Sequence, residues 1–570
     1  MPLKTIENGT VADAYLAILA DRGIDCFFGN AGTDFAPIIE SFSKAKALGT
    51  SAPKPILVPH ENLAIHMALG YYAVTGKPQV VMVHVNVGTA NALTGLINAS
   101  RGNIPVIFTS GRTPYSETGD REGLRTREVH WPQEMFDQGA LAREIVKWDY
   151  ELKDKAVLET VVDRAINLAM SEPKGPIYLT LPREPLAERF ESFDFVSPSR
   201  LNTPTTAWPD PNAIDQAASI LANAENPFII TQDSGADQNS LAPLAALSER
   251  FAIPVIQRKP RYLCLPGDHP MHLGYDPDPY FDFADVIVVA ACDVPWIPSF
   301  KGPGPGCKII HLGPDPIFSS YPIRGYEADL AITGGITPCF QLLDEALVEW
   351  EQTAKSKIDS RRTRINGLRK LLHENWNLTL ENGKNSLPIH PAWVSHCVNE
   401  MMNDQAILLT ESAFSLPQIN LTRPGSYLSG GAGGGLGYGL GMALGVKLAA
   451  PEKLVICTQG DGAYMYGNPV SAHYVSRAEK LPTLTIIMNN QQWGAVKRNT
   501  RAMYPDGFAA KSNREALTFF ESGLEFEKTV EVAGGFGERV QDSKELPRAL
   551  DRAANAVSKG QQAVLNVEIS

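Results

Sequence analysis

Residues 453–462 read KLVICTQGDG and residues 483–490 read TLTIIMNN. Each is a short apolar, β-branched run that stops at Gly, Asp or Asn, the pattern of a parallel strand buried on both faces. They predict strands over Leu454–Cys457 and Leu484–Met488. Asp461 and the Asn489–Asn490 pair then fall at carboxyl ends of strands, where open α/β sheets bind their ligands. A carboxylate and a carboxamide oxygen so placed suit a hard divalent cation, which takes oxygen donors and completes its shell with water or phosphate. Glycines on both sides of Asp461 let backbone approach a ligand closely. Either motif alone reads equally well as a polar loop after a buried strand; together, with 26 residues between Gly462 and Asn489, they point to a metal-linked site.

The same pattern extends outward in three blocks, which predicts an α/β fold of three consecutive parallel-sheet domains. The first block holds runs at Ile24–Phe28, Pro55–Val58, Gln79–His84, Pro105–Ser110 and Pro176–Leu181. Helical stretches such as Thr10–Asp21 and Leu63–Val74 lie between them. The second holds Pro227–Thr231, Pro254–Gln257, Asp285–Ala291 and Lys308–Leu312, and the third adds Ala406–Thr410 and Gln562–Ile569. A Pro-rich join over Ser197–Asn212 and a charged segment over Glu349–Lys384 separate the blocks, giving expected domains of 1–190, 205–345 and 380–570. Eight of the twelve residues in Gly430–Gly441 are glycine, yet no G-x-G-x-x-G occurs there, so the nicotinamide fingerprint is absent.

A length of 570 residues, 44% apolar and 20% charged, is ordinary for a multidomain globular chain. The formal charge of -12 argues against nucleic acid and anionic membrane as partners. Seven scattered cysteines form no C-x-x-C pair and no zinc spacing, which fits a reducing compartment. With neither a signal-peptide pattern nor an apolar run long enough to span a bilayer, a cytoplasmic location is expected.

The GDG triplet followed by NN resembles the signature of thiamine diphosphate enzymes of the benzoylformate decarboxylase, benzaldehyde lyase and acetolactate synthase type. The resemblance implies pyrimidine-binding, central and pyrophosphate-binding domains in that order. It also implies that Asp461, Asn490 and the backbone carbonyl of Gln492 hold Mg²⁺, which anchors the cofactor's diphosphate. Gly462 and Ala463 sit beside that group. Relatives often carry Ser or Thr where this chain has Ala463 and Ala413, so phosphate contacts fall to backbone amides, Ser412 or Tyr466.

In His60–Ala73, Glu61 matches the family's Glu at N1′ of the aminopyrimidine; read alone, a Glu in a first helical turn is an ordinary dipole partner. Deprotonating the thiazolium C2 to the ylide needs a proton or hydrogen bond from this carboxyl at neutral pH, so Glu61 is expected in a dry pocket. By resemblance, Gly434 offers a carbonyl to the 4′-amino group and Leu436 is the apolar wedge that bends the cofactor.

On the substrate side, His84 falls where benzoylformate decarboxylase has an acid/base His, in the stretch His84–Ala92 that also contains Asn86. Asn30 and Thr33 belong to a loop, Phe28–Thr33, that resembles the same enzyme's. Arg112 hints at an acidic substrate, because a guanidinium matches a carboxylate. His130, Gln133 and Glu134 are candidates for the entry, and Trp493 and Lys497 for the acceptor pocket. The implied activity is cleavage or formation of the C–C bond beside a carbonyl through an enamine. Its substrates are a small-molecule 2-oxo acid, aldehyde or 2-hydroxy ketone. Acetolactate synthase-like acyl transfer, a flavin-linked 2-oxo acid oxidase and a non-catalytic binding protein are the alternatives. The middle block lacks the synthases' R-F-D-D-R-like run, so FAD is not expected. Because Glu61 and Asp461 lie in different domains, the family's solution of pairing domains between copies makes a homodimer the minimum and a homotetramer the usual assembly.

Overall fold

The strand Val80–Val83 is buried along its whole length, and apolarity on both faces puts it inside a sheet. In the computed structural model, which describes residues 2–411, 414–512 and 514–570, it lies in a six-stranded sheet. The spatial order is Lys54–Leu57, Cys26–Asn30, Val80–Val83, Ile107–Arg112, Ile177–Pro182 and Asp149–Glu151. All neighbouring pairs are parallel. Asn30 pairs with Val83, which pairs with Ser110, so Asn30, His84 and Arg112 gather at one carboxyl edge.

This sheet belongs to a compact unit made of Met1–Pro204, Gly430–Arg539 and Arg552–Asn566. The same unit holds the quoted strands, now Leu454–Gly460 and Leu484–Asn489, paired in parallel with Gly460 opposite Met488. Ala563–Glu568 and Phe536–Val540 continue that sheet. An antiparallel ribbon of Leu3–Thr10 and Arg189–Val196 was not expected from sequence, because its strands are mostly exposed and lack a continuous apolar run. Thr10 also starts the helix Val11–Asp21 by a capping box with Asp13.

The second unit, Thr205–Ser429 with Val540–Asp551 and Val567–Ser570, carries a five-stranded parallel sheet. Its order is Val255–Gln257, Pro227–Thr231, Val286–Ala290, Lys308–Gly313 and Leu330–Thr333. The charged segment 349–384, read as helix plus loop, is mostly one helix, Lys355–Gly383. Ala406–Glu411 pairs in parallel with the short strand Tyr427–Leu428. Among the described residues no helix is long and apolar enough to cross a membrane.

Within the first unit, helices Glu61–Thr75 and Tyr438–Ala449 meet almost backbone to backbone. A Cβ on Gly70 would lie 2.1 Å from the Met442 carbonyl oxygen, and one on Gly445 would lie 2.0 Å from that of Met67. Glycine is therefore required at both crossings. Gly445→Ala is expected to cost about 2–3 kcal/mol through overpacking, read as a lower urea midpoint; an unchanged midpoint would contradict this contact.

Candidate active site

Asp461 opens a short helix, Asp461–Tyr466, straight off the strand Leu454–Gly460, and Asn490 follows the neighbouring strand. Asp461 is 3% exposed. Its Oδ1 accepts the Gly462 N–H at 2.8 Å and its Oδ2 the Gln491 N–H at 2.7 Å. Burial pushes its carboxyl above the usual range, opposed by these backbone donors. Asn490 Oδ1 accepts the Gln492 N–H at 3.2 Å, and Gln491 turns the chain with a positive φ of 56°. The Gln492 carbonyl accepts from Gly494 N–H at 2.9 Å, while Lys497 Nζ donates to Gln492 Oε1 at 3.0 Å.

Carboxylate, carboxamide and carbonyl make an all-oxygen set, the chemistry that fits Mg²⁺. Among the described residues no three His, Cys, Asp or Glu side chains gather as a softer metal would require. The Trp493 ring covers Gly462, where a Cβ would come within 2.2 Å of it, and packs edge-on against Phe520 and Tyr466. Ala463 is buried and Tyr466 is more than half exposed. Ser412 and Ala413 lie outside the described residues.

Glu61 is the first residue of the helix Glu61–Thr75. Asn91 Nδ2 donates to its Oε2 at 2.5 Å, and a Cβ on Gly88 would lie 3.4 Å from its Oε1. In the single chain Glu61 is half-buried. Buried side-chain atoms without a hydrogen-bond partner in the chain include His60 Nδ1, Asn62 Oδ1, Asn86 Oδ1 and Gln133 Oε1. Buried polar atoms are normally paired with protein or ordered water.

His84 caps the helix Val85–Arg101, with Nδ1 2.5 Å from Asp34 Oδ1 and Nε2 3.2 Å from Gln133 Nε2. Asn30 is half-buried at its strand end and Thr33 is exposed. Arg112 is engaged within the chain: its guanidinium donates to Glu151 at 2.5 Å, Glu134 at 3.1 Å and the Met135 carbonyl at 2.9 Å, while its Nε is buried without a partner. Glu134 also accepts from Arg125 and Thr113, which makes it part of that internal network. His130 is buried, and its Nδ1 accepts the Thr126 N–H.

Two residues missed in the sequence organise this site. Asn91 is one. The other is Asn98, fully buried on the same helix. Its Oδ1 accepts from the N–H groups of Gly433 at 3.2 Å and Gly435 at 3.1 Å, and its Nδ2 donates to the Gly435 carbonyl at 2.8 Å and His66 Nε2 at 3.1 Å. All four positions of the carboxamide are satisfied. Burial lowers His66 to about 3, so it is a neutral acceptor. Asn98 thus brackets Gly434, which has a φ of 74° and open space where a side chain would be, next to half-exposed Leu436. His84, Asn91 and Asn98 recur every seven residues, two helical turns, and so share a face. That spacing was the available signal.

Three family models match the chain. They are the N-terminal TPP binding domain of thiamine pyrophosphate enzymes over residues 9–141, the central domain over 214–343 and the C-terminal TPP binding domain over 412–567. The acetolactate synthase large subunit of Buchnera aphidicola subsp. Schizaphis graminum is 26% identical, covering 98% of this chain and 94% of that protein. The benzoylformate decarboxylase of Pseudomonas aeruginosa is 26% identical, covering 86% and 87%. In fold, the chain resembles the crystal structure of benzoylformate decarboxylase from Polynucleobacter necessarius, with a TM-score of 0.78, 20% identity and 99% of each chain covered.

Asn98→Ala removes the partners of the Gly433 and Gly435 N–H groups, the Gly435 carbonyl and the buried His66 Nε2. A loss of about 1–3 kcal/mol is expected, because only the His66 nitrogen is left fully buried and unpaired, measured by urea unfolding. A variant as stable as the parent would show that the clamp does not hold the loop.

Proposed function

Because this chain belongs to the thiamine pyrophosphate enzyme family, we propose that it uses thiamine diphosphate and Mg²⁺ to break or form the C–C bond beside a carbonyl. The substrate class is a 2-oxo acid or a 2-hydroxy ketone. The observation that carries this reading is the register of Gly460 opposite Met488, which sets Asp461 and Asn490 side by side at one strand edge.

Asp461, Asn490 and the Gln492 carbonyl would hold Mg²⁺ and through it the diphosphate, with the Gly462 and Ala463 backbone and Tyr466 beside them. Gly434 would present its carbonyl, and Leu436 an apolar wedge, to the rest of the cofactor. When bound, the cofactor supplies a nucleophilic carbon and an electron sink. Glu61 supplies the proton contact: with Oε2 already accepting from Asn91, a proton on the carboxyl resides on Oε1. His84 moves a proton at the reacting carbon of the product, a role suited to an imidazole near neutral pH. This supports decarboxylation with aldehyde release, and one relative is a benzoylformate decarboxylase. Asn30, Thr33, Asn86 and Gln133 line the substrate's approach, with Trp493 on the acceptor side. The working unit is a homodimer or a homotetramer of paired copies.

The test is turnover of 2-oxo acids and aldehydes, singly and in pairs, with thiamine diphosphate and Mg²⁺ and with product analysis. Glu61→Gln is expected to lose about a hundredfold or more of the rate; undiminished turnover in that variant would eliminate the mechanism.

A further inference from the structure

We propose that Asp34 is the positioning residue of the site: it holds His84 in the tautomer protonated at Nδ1 and leaves Nε2 as the only nitrogen that exchanges a proton with the substrate. This rests on the reading of His84 as the proton-transfer group, and it adds a residue that neither the motifs nor the family resemblance singled out.

The pair is built into the fold from several directions. Asp34 is 3% exposed, and both of its oxygens are committed. Oδ1 meets His84 Nδ1 at 2.5 Å, and Oδ2 accepts the Val85 N–H at 3.2 Å. Two other segments leave room for it. A Cβ on Gly111, at the edge of the strand Ile107–Arg112, would fall 1.7 Å from Asp34 Oδ2, and one on Gly32 would fall 2.1 Å from His84 Nδ1. Val85 is a β-branched residue at a φ of +32°, a conformation that costs energy and persists only where the surroundings fix it. The carboxylate that fixes it also fixes the ring one residue earlier.

The charges facing the imidazole come from every element around it. Asp34 and Glu61 favour its protonated form, with the Asp34 hydrogen bond the larger influence, so His84 is held above the usual imidazole range. His130 lies near enough to feel the charge of His84, and Arg183, which donates to the Thr33 carbonyl, faces Asp34. In the imidazolium, Nδ1–H is bonded to Asp34 and Nε2–H carries the transferable proton. On transfer the Nε2–H bond breaks, its electron pair stays on the ring nitrogen, and the neutral ring is already in the tautomer that Asp34 binds. No ring rotation or second proton movement is needed.

The experiment is an NMR titration of isotope-labelled histidine in the holoenzyme, wild type and Asp34→Asn, with His84 assigned by its loss in His84→Asn, beside pH–rate profiles. Wild-type His84 should show Nδ1 protonated when neutral. In Asp34→Asn its titration, and the alkaline limb of kcat/KM, should move about one pH unit or more toward acid, with kcat down at least tenfold and KM within about twofold. The sign follows from the raised value. The stabilising pair is fully present below the ordinary imidazole value of ~6.5 and is lost as pH rises through the folded-state value, so the variant's stability deficit should be larger at acid than at alkaline pH. A wild-type ring protonated at Nε2, or an unmoved titration in Asp34→Asn, overturns the proposal. If His84→Asn instead keeps full turnover, the proton-transfer role fails, while the tautomer measurement still decides whether Asp34 sets the ring.

Discussion

Helix Val85–Arg101 is the member on which the first unit's chemistry is mounted. Its cap residue, His84, is bonded to Asp34; two turns on, Asn91 donates to Glu61; two turns further, Asn98 is inserted into the glycine loop. Seven residues of helix rise about 10 Å, so three contacts are spaced by the geometry of one rigid element. Loops alone would not keep these three contacts in fixed register, because their backbones lack a repeating hydrogen-bond ladder. The close glycine crossing of Glu61–Thr75 on Tyr438–Ala449 supplies the second fixed distance. It ties the helix that begins with Glu61 to the one that follows the glycine loop.

Electrostatics separate structural from chemical charge here. Arg112, Arg125, Glu134 and Glu151 form an internal network of ion pairs. Asp461 is buried with both oxygens on backbone N–H groups, while Asn86 and Gln133 bury oxygens that find no partner. Leaving a buried oxygen unpaired costs about 1–3 kcal/mol.

The parallel strands were legible because their signal is local: β-branched runs bounded by glycine, proline or asparagine, such as Pro227–Thr231, which forms a strand over those same residues. The positions of Asp461 and Asn490 were legible for the same reason, since a strand end fixes them. Some strands at sheet edges were not. Asp149–Glu151 and Phe536–Val540 are only partly buried, and partial burial removes the continuous apolar run that reveals a strand. Asp34, Asn91 and Asn98 escaped because their meaning lies in partners far away in sequence; Asn98 meets a loop more than three hundred residues later. Arg112 was legible at its strand end, but its contacts with Glu134 and Glu151 were not, because they come from segments whose path the sequence does not give.

The most direct test of the whole account is calorimetric titration of the purified protein with thiamine diphosphate in the presence and absence of Mg²⁺. Saturable uptake of one equivalent per chain, dependent on Mg²⁺ and lost in Asp461→Ala, is the predicted result. No uptake under any condition, or uptake indifferent to both the metal and Asp461, would contradict it.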